Sequence, residues 1–242
     1  MPYFFYGYDP YYWMILVPAM LIALFAQLKV SSTFNRYDRV RSARGCTGAQ
    51  AAEAVLRQHG VTDVRIERVG GRLTDHYDPR SNVIRLSDAV YASNSVAAMG
   101  VAAHEAGHAV QYAVGYGPVR LRTAIIPVTQ LGSRFSFLLL FIGLFMYSQS
   151  LFLAGIILFG LTTFFQLVTL PVEFNASRRA LETIEGTGML DGDEYYGARK
   201  VLRAAALTYV AALLMSLLQL LRFVLIFLSR GGGRNGGDGG RR

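Results

Sequence analysis

The sequence predicts a mainly α-helical integral membrane protein, with about four transmembrane helices and a small α+β unit that carries a short β-sheet. Three observations predict this. Hydrophobic residues make up 52% of the 242 residues, and they are gathered into long uncharged runs of the kind a bilayer explains. The net charge is +8, and the basic residues flank those runs, which suits membrane orientation and contact with anionic headgroups. No basic stripe interleaved with aromatics is present, so nucleic acid is not an expected partner. Between the runs, residues 61–86 change to the alternating period of strands.

The first apolar run spans residues 11–28, with Tyr8, Tyr11, Tyr12 and Trp13 at its outer edge like an interfacial aromatic belt. No small-residue cleavage site follows it, so residues 1–30 read as a retained transmembrane anchor. Pro18 is placed to kink it. Lys29, Arg36, Arg39, Arg41 and Arg44 come next, whereas the opposite flank carries Asp9. The positive-inside rule puts the N-terminus outside and residue 30 onward in the cytoplasm. Cys46 is the only cysteine, so no intramolecular disulfide can form, as suits a cytosol-facing unit.

Residues 31–118 read as a cytoplasmic catalytic part. Residues 48–58 form a short helix ended by Gly60. Residues 64–69 and 83–86 alternate like strands, around an Asp78-Pro79-Arg80-Ser81-Asn82 turn. The 83–86 strand offers an edge with which an extended peptide can pair. Ser87 or Asp88 caps one helix, and Asn94 or Ser95 caps a second that runs from Val96 to about Val114.

Residues 119–170 read as a transmembrane hairpin with a turn at 148–150, its second helix ended or bent by Pro171. Residues 171–203 form a cytoplasmic helical part, and 204–229 a C-terminal transmembrane helix with Arg222 near its end. The Gly-rich tail, 230–242, is expected to be disordered.

The chemistry centres on His104-Glu105-Ala106-Gly107-His108. Helical spacing puts the two histidines on one face, where both imidazoles can reach one zinc ion, and leaves Glu105 beside the ion's open position as general base. Zinc acidifies a bound water and polarises the scissile carbonyl. Gly107 and the alanines at 102, 103, 106 and 109 allow close approach of another helix. No third histidine follows His108, so the third ligand is expected to be a carboxylate, as in His₂Glu sites. Glu173 is the choice over Glu182, Glu185, Asp191, Asp193 and Glu194. Two spans separate it from His108, so both return to the same side of the membrane. Ser177, one turn on, can hold a ligand histidine by a hydrogen bond. His76 and Tyr77 are candidates for stabilising the oxyanion.

These residues resemble a known family. The runs LTDHYDP, GVAAHEAGHAVQ, PVEFNASRRAL and AAALTYVAAL occur in the order seen in YugP-like membrane zinc metallopeptidases. The resemblance implies a neutral zinc peptidase with several transmembrane helices, a gluzincin-like unit, ligands His104 and His108, and catalytic Glu105. More distantly the arrangement is similar to HtpX-like and CAAX prenyl proteases, which take a ligand glutamate from E-x-x-A-D on a later helix. Here Glu173-Phe174-Asn175-Ala176 fits that pattern and Ser177 stands in place of its aspartate.

The expected function is therefore a membrane-anchored zinc metalloendopeptidase with one zinc ion. It would hydrolyse membrane or membrane-associated polypeptides at the cytoplasmic face by zinc-activated water, with Glu105 as base. The alternative is a catalytically silent membrane scaffold or chaperone that retains the fold; loss of Glu105 or a ligand would mark it, and neither is lost. A transporter is disfavoured because the charges cluster outside the apolar spans.

Overall fold

The computed structural model describes residues 10–71 and 73–231. Tyr8 and Asp9, and the tail beyond Gly231, lie outside the described residues. Among the described residues the chain runs α1 (Pro10–Tyr37), α2 (Gly48–Gln58), β1 (Arg65–Val69), β2 (His76–Asp78), β3 (Val83–Ser87), α3 (Asp88–Tyr91), α4 (Val96–Ala113), α5 (Gly117–Phe145), α6 (Gln149–Gly186) and α7 (Gly192–Gly231). Among them, α1, α5, α6 and α7 are the four helices long and apolar enough to cross a membrane. Side chains such as Leu21, Leu24, Leu138, Phe141, Leu217 and Leu221 are exposed on them, which suits a surface solvated by lipid.

Contacts divide the chain into two units. One takes in the chain up to Leu24, Ala124–Leu167 and the chain from Ala211 onward. Its core packs Leu140, Phe152, Ile156, Phe159 and Phe223, with the Phe159 and Phe223 rings edge to face at 5.3 Å. A hydrogen bond of 2.7 Å between Thr163 and Ser216 joins α6 to α7.

The other unit, Phe25–Thr123 and Val168–Val210, holds every residue of the candidate site. Its core is an alanine-rich α4 laid against α2, with Ala51, Ala52 and Val55 meeting a face built from Ala98, Met99, Ala102 and Ala106. Small side chains let the backbones approach while still excluding water. Thr47 and Gln50 form a reciprocal capping box at the start of α2, and Ser95 caps α4 through the Ala98 N–H. Ser87 precedes α3 but does not cap it with its side chain. Its N–H and hydroxyl are instead both engaged by the Asp75 carboxylate, at 2.7 and 3.0 Å.

The sheet order is β1-β3-β2. β3 pairs in parallel with β1 and antiparallel with β2. The sequence reading leaves residues 83–86 as a free edge, and the structure corrects it: β3 is central, paired along its length with β1 and over Val83–Arg85 with β2, and buried at Val83, Ile84 and Leu86. The free edges belong to β1 and β2. The β2–β3 turn is fixed by Arg85, which reaches the Asp78 carboxylate at 3.0 Å. Asn82 takes φ +54° in that turn, a left-handed geometry asparagine tolerates better than most residues.

The helix expected to end or bend at Pro171 does not end there. α6 continues through Pro171, and α7 runs unbroken from its charged start at Gly192 into the apolar stretch. A proline inside a long helix is tolerated where packing and neighbouring groups compensate for the lost backbone bond, and the turns flanking Pro171 are anchored by buried Val168, Val172 and Ala176.

Candidate metal centre

α4 and α6 build the site because their backbones touch at Gly107 and Ala176. A Cβ added to Gly107 would stand 2.6 Å from the Ala176 carbonyl oxygen, so only glycine allows this approach. Gly107→Ala must push α4 away from α6. Overpacking of this kind costs about 3 kcal/mol, and here it also separates the histidines from Glu173. The expected outcome is a clearly lower melting temperature together with loss of bound zinc, read by thermal unfolding and metal analysis of the same preparation.

At this crossing, His104 and His108 from α4 converge with Glu173 from α6. One ligand-type atom from each lies within 4.8 Å of the others. The Glu173 Oε2 is 3.3 Å from His104 Nε2 and 3.5 Å from His108 Nε2. The two imidazole rings stand edge to face with centroids 4.7 Å apart.

Each imidazole is oriented from behind. The His104 Nδ1 bonds to the Ser177 hydroxyl at 3.0 Å. The His108 Nδ1 donates to the Gln111 side-chain carbonyl at 3.0 Å. The buried Gln111 amide in turn donates to the Val172 carbonyl at 2.7 Å and to Asn175 Oδ1 at 3.1 Å. Arg179 also donates to Asn175 Oδ1, at 2.9 Å. With Nδ1 engaged, Nε2 of each ring is left facing Glu173. This is how proteins fix the tautomer of a metal-binding histidine.

Glu173 is only 2% exposed, and its Oε1 takes the Arg122 guanidinium at 3.4 Å. Its Oε2 is buried without a hydrogen-bond partner. An unpartnered carboxylate oxygen in such a place is costly, since desolvation is not compensated. A divalent cation held by two imidazole Nε2 atoms and this oxygen supplies the compensation, and this His₂Glu donor set matches zinc's preferences. The residues present therefore fit the metal.

Glu105 is half-buried beside the cluster, and its Oε2 accepts the Tyr77 backbone N–H at 3.0 Å. Loss of hydration raises its pKa above the usual carboxylate value, against the pull of the two neighbouring histidines. Burial disfavours charge on His108, but its bond to Glu173 and the Glu105 carboxylate outweigh this and raise its pKa.

The structure brings His104, His108, Glu105, Glu173 and Ser177 together. It uses Tyr77 through its backbone, because the phenol donates to Asn82 Oδ1 at 2.7 Å. His76 is exposed, with Nδ1 on the Thr74 carbonyl at 2.8 Å. Three neighbours escaped the sequence reading. Gln111 had a detectable signal, since it lies three positions after His108 on one helix. Arg122 comes from α5 with no local pattern to mark it, and Tyr209, whose hydroxyl lies beside Glu173, comes from α7 within the run AAALTYVAAL, which marks the segment but not the residue.

A family profile described as "Putative neutral zinc metallopeptidase" matches residues 12–228. The chain belongs to this family. It is also 48% identical over 215 residues to the "Putative membrane protease YugP" of Bacillus subtilis (strain 168), an alignment covering 89% of this chain and 96% of that relative. No solved structure matches the chain. The family's description names zinc and peptide hydrolysis, and the His104, His108 and Glu173 cluster is a metal site of the composition such chemistry uses.

Proposed function

We propose that the protein is a membrane-embedded zinc endopeptidase, with His104, His108 and Glu173 as ligands and Glu105 as general base. It cleaves membrane or membrane-associated polypeptides at the cytoplasmic face. The observation that carries this reading is the buried, unpartnered Glu173 Oε2 facing two Nε2 atoms. One zinc ion bound there supplies Lewis acidity, which acidifies water and polarises a peptide carbonyl.

The remaining steps belong to the chain. Glu105 takes a proton from the attacking water and delivers it to the departing amine; loss of hydration raises its pKa, which makes it a stronger base than an exposed carboxylate. The Tyr77 N–H fixes the carboxylate that does this. β2, an edge strand whose backbone touches the base, is the natural strand for an extended substrate to pair with. Ser177 and Gln111 keep the imidazoles aimed.

The oxyanion donor is assigned to the Tyr209 hydroxyl. His76 is engaged by the backbone and the Tyr77 phenol by Asn82, both away from the metal position, whereas the Tyr209 hydroxyl is bonded to Glu173 itself and lies near Glu105. Tyr209→Phe is expected to lower kcat about 100-fold, typical for one lost oxyanion donor, with KM and zinc content little changed. An unchanged kcat would remove Tyr209 from the mechanism.

The reading is tested on detergent-purified protein by metal analysis and by hydrolysis of an unfolded protein such as casein. Near-stoichiometric zinc with chelator-sensitive cleavage supports it; metal-free protein sinks it. Orientation is tested separately by Glu53→Cys in a Cys46→Ser background, since Glu53 is exposed on α2. An impermeant maleimide should label inverted vesicles and spare intact cells.

A further inference from the structure

α6 and α7 change character along their lengths in opposite directions. α6 carries no charged side chain from Gln149 to Val172, and then Glu173, Arg178, Arg179, Glu182 and Glu185. α7 carries Asp193, Glu194, Arg199, Lys200 and Arg203, and then none until Arg222. Where both change, they enclose an open groove of about 520 Å³ lined by residues 174–182 of α6 and 195–210 of α7.

Arg178, Arg199 and Arg203 line the part of the groove along the charged ends of the two helices, interleaved with Leu181 and Leu202, while Leu207 and Val210 carry the lining into the apolar stretch of α7 and Phe174 lies next to Glu173 at the boundary in α6. Glu182 is the one carboxylate of the lining. It reaches Arg178 at 3.8 Å, with both side chains more than 60% exposed, so it neutralises little. Arg199 to Val210 spans roughly 16 Å of helix at 1.5 Å per residue. That is enough for a headgroup, a glycerol and the first part of an acyl chain.

We infer that this groove binds an anionic phospholipid, with its phosphate among Arg178, Arg199 and Arg203 and its acyl chain along Phe174, Leu207 and Val210. Charge complementarity and the coincidence of the groove with the apolar-to-charged boundary both select this occupant. A free phosphate or an acidic peptide terminus would leave the apolar part of the groove to water. Ser177 lines the same groove while its hydroxyl holds His104, so a bound headgroup sits one side chain away from the metal centre. The inference rests on the membrane placement of α6 and α7 and not on the peptidase reading.

The test uses full-length protein in phosphatidylcholine nanodiscs containing spin-labelled phosphatidylglycerol, read as the motionally restricted lipid fraction. Each arginine near anionic lipid is worth about fivefold in affinity, so R178Q/R199Q/R203Q should lose more than about tenfold. Val210→Trp, which fills the apolar part and keeps every charge, should lose binding as well. If the triple variant does not fold, Val210→Trp alone decides. Equal binding by wild type and Val210→Trp, or full displacement by millimolar inorganic phosphate, overturns the assignment.

Discussion

Glu105→Gln is expected to abolish peptide hydrolysis, by about 10³- to 10⁴-fold in kcat, while zinc content stays at the wild-type level. General-base catalysis contributes about 10²–10⁴-fold, and the upper part applies where no other base is at hand. Among the described residues, the other carboxylate of the cluster is Glu173, which is engaged by Arg122 and faces the two imidazoles. The substitution is close to isosteric, and the amide oxygen of glutamine can still accept the Tyr77 N–H that Glu105 now takes. The fold and β2 should therefore hold, and a thermal melt of the variant should overlay the wild type. Retained hydrolysis would remove Glu105 as the base. Loss of zinc together with activity would instead show that Glu105 helps to hold the metal.

Much of the architecture was legible because it is written in local periodicity. Apolar runs mark α1, α5, α6 and α7 by length alone. The His104–His108 spacing puts both rings on one face whatever helix carries them. Glu173 was reachable by counting spans, and Ser177 by counting one turn further. What was not legible depends on partners remote in sequence. Nothing within residues 83–86 says that β1 pairs with β3 in parallel, yet this pairing makes β3 central. Arg122 reads as a flanking charge until α5 brings it to Glu173, 51 positions away. Pro171 reads as a place where the helix ends or bends because a proline disrupts an isolated helix, whereas α6 continues through it with buried neighbours on either side.

The same remoteness makes Glu173 the sharpest test of the ligand set. Glu173→Gln is expected to lower zinc affinity by more than about 100-fold, so that protein purified without added metal carries almost none. The comparison with Ser177→Ala gives the scale. Ser177 touches His104 but faces no second ligand, and partners of that kind contribute about 10–100-fold; a true ligand must exceed them. Glu182→Gln should leave zinc unchanged, since Glu182 is exposed and pairs loosely with Arg178. The neutral amide also leaves the Arg122 guanidinium without its counter-charge in a site where Glu173 is 2% exposed. The variant should therefore melt below the wild type even with both proteins stripped of metal, because one partner of a buried pair has been removed. Zinc retained in full by Glu173→Gln would mean that another carboxylate completes the site. The unpartnered Oε2 would then need a different explanation, and the ligand set would reduce to the two histidines.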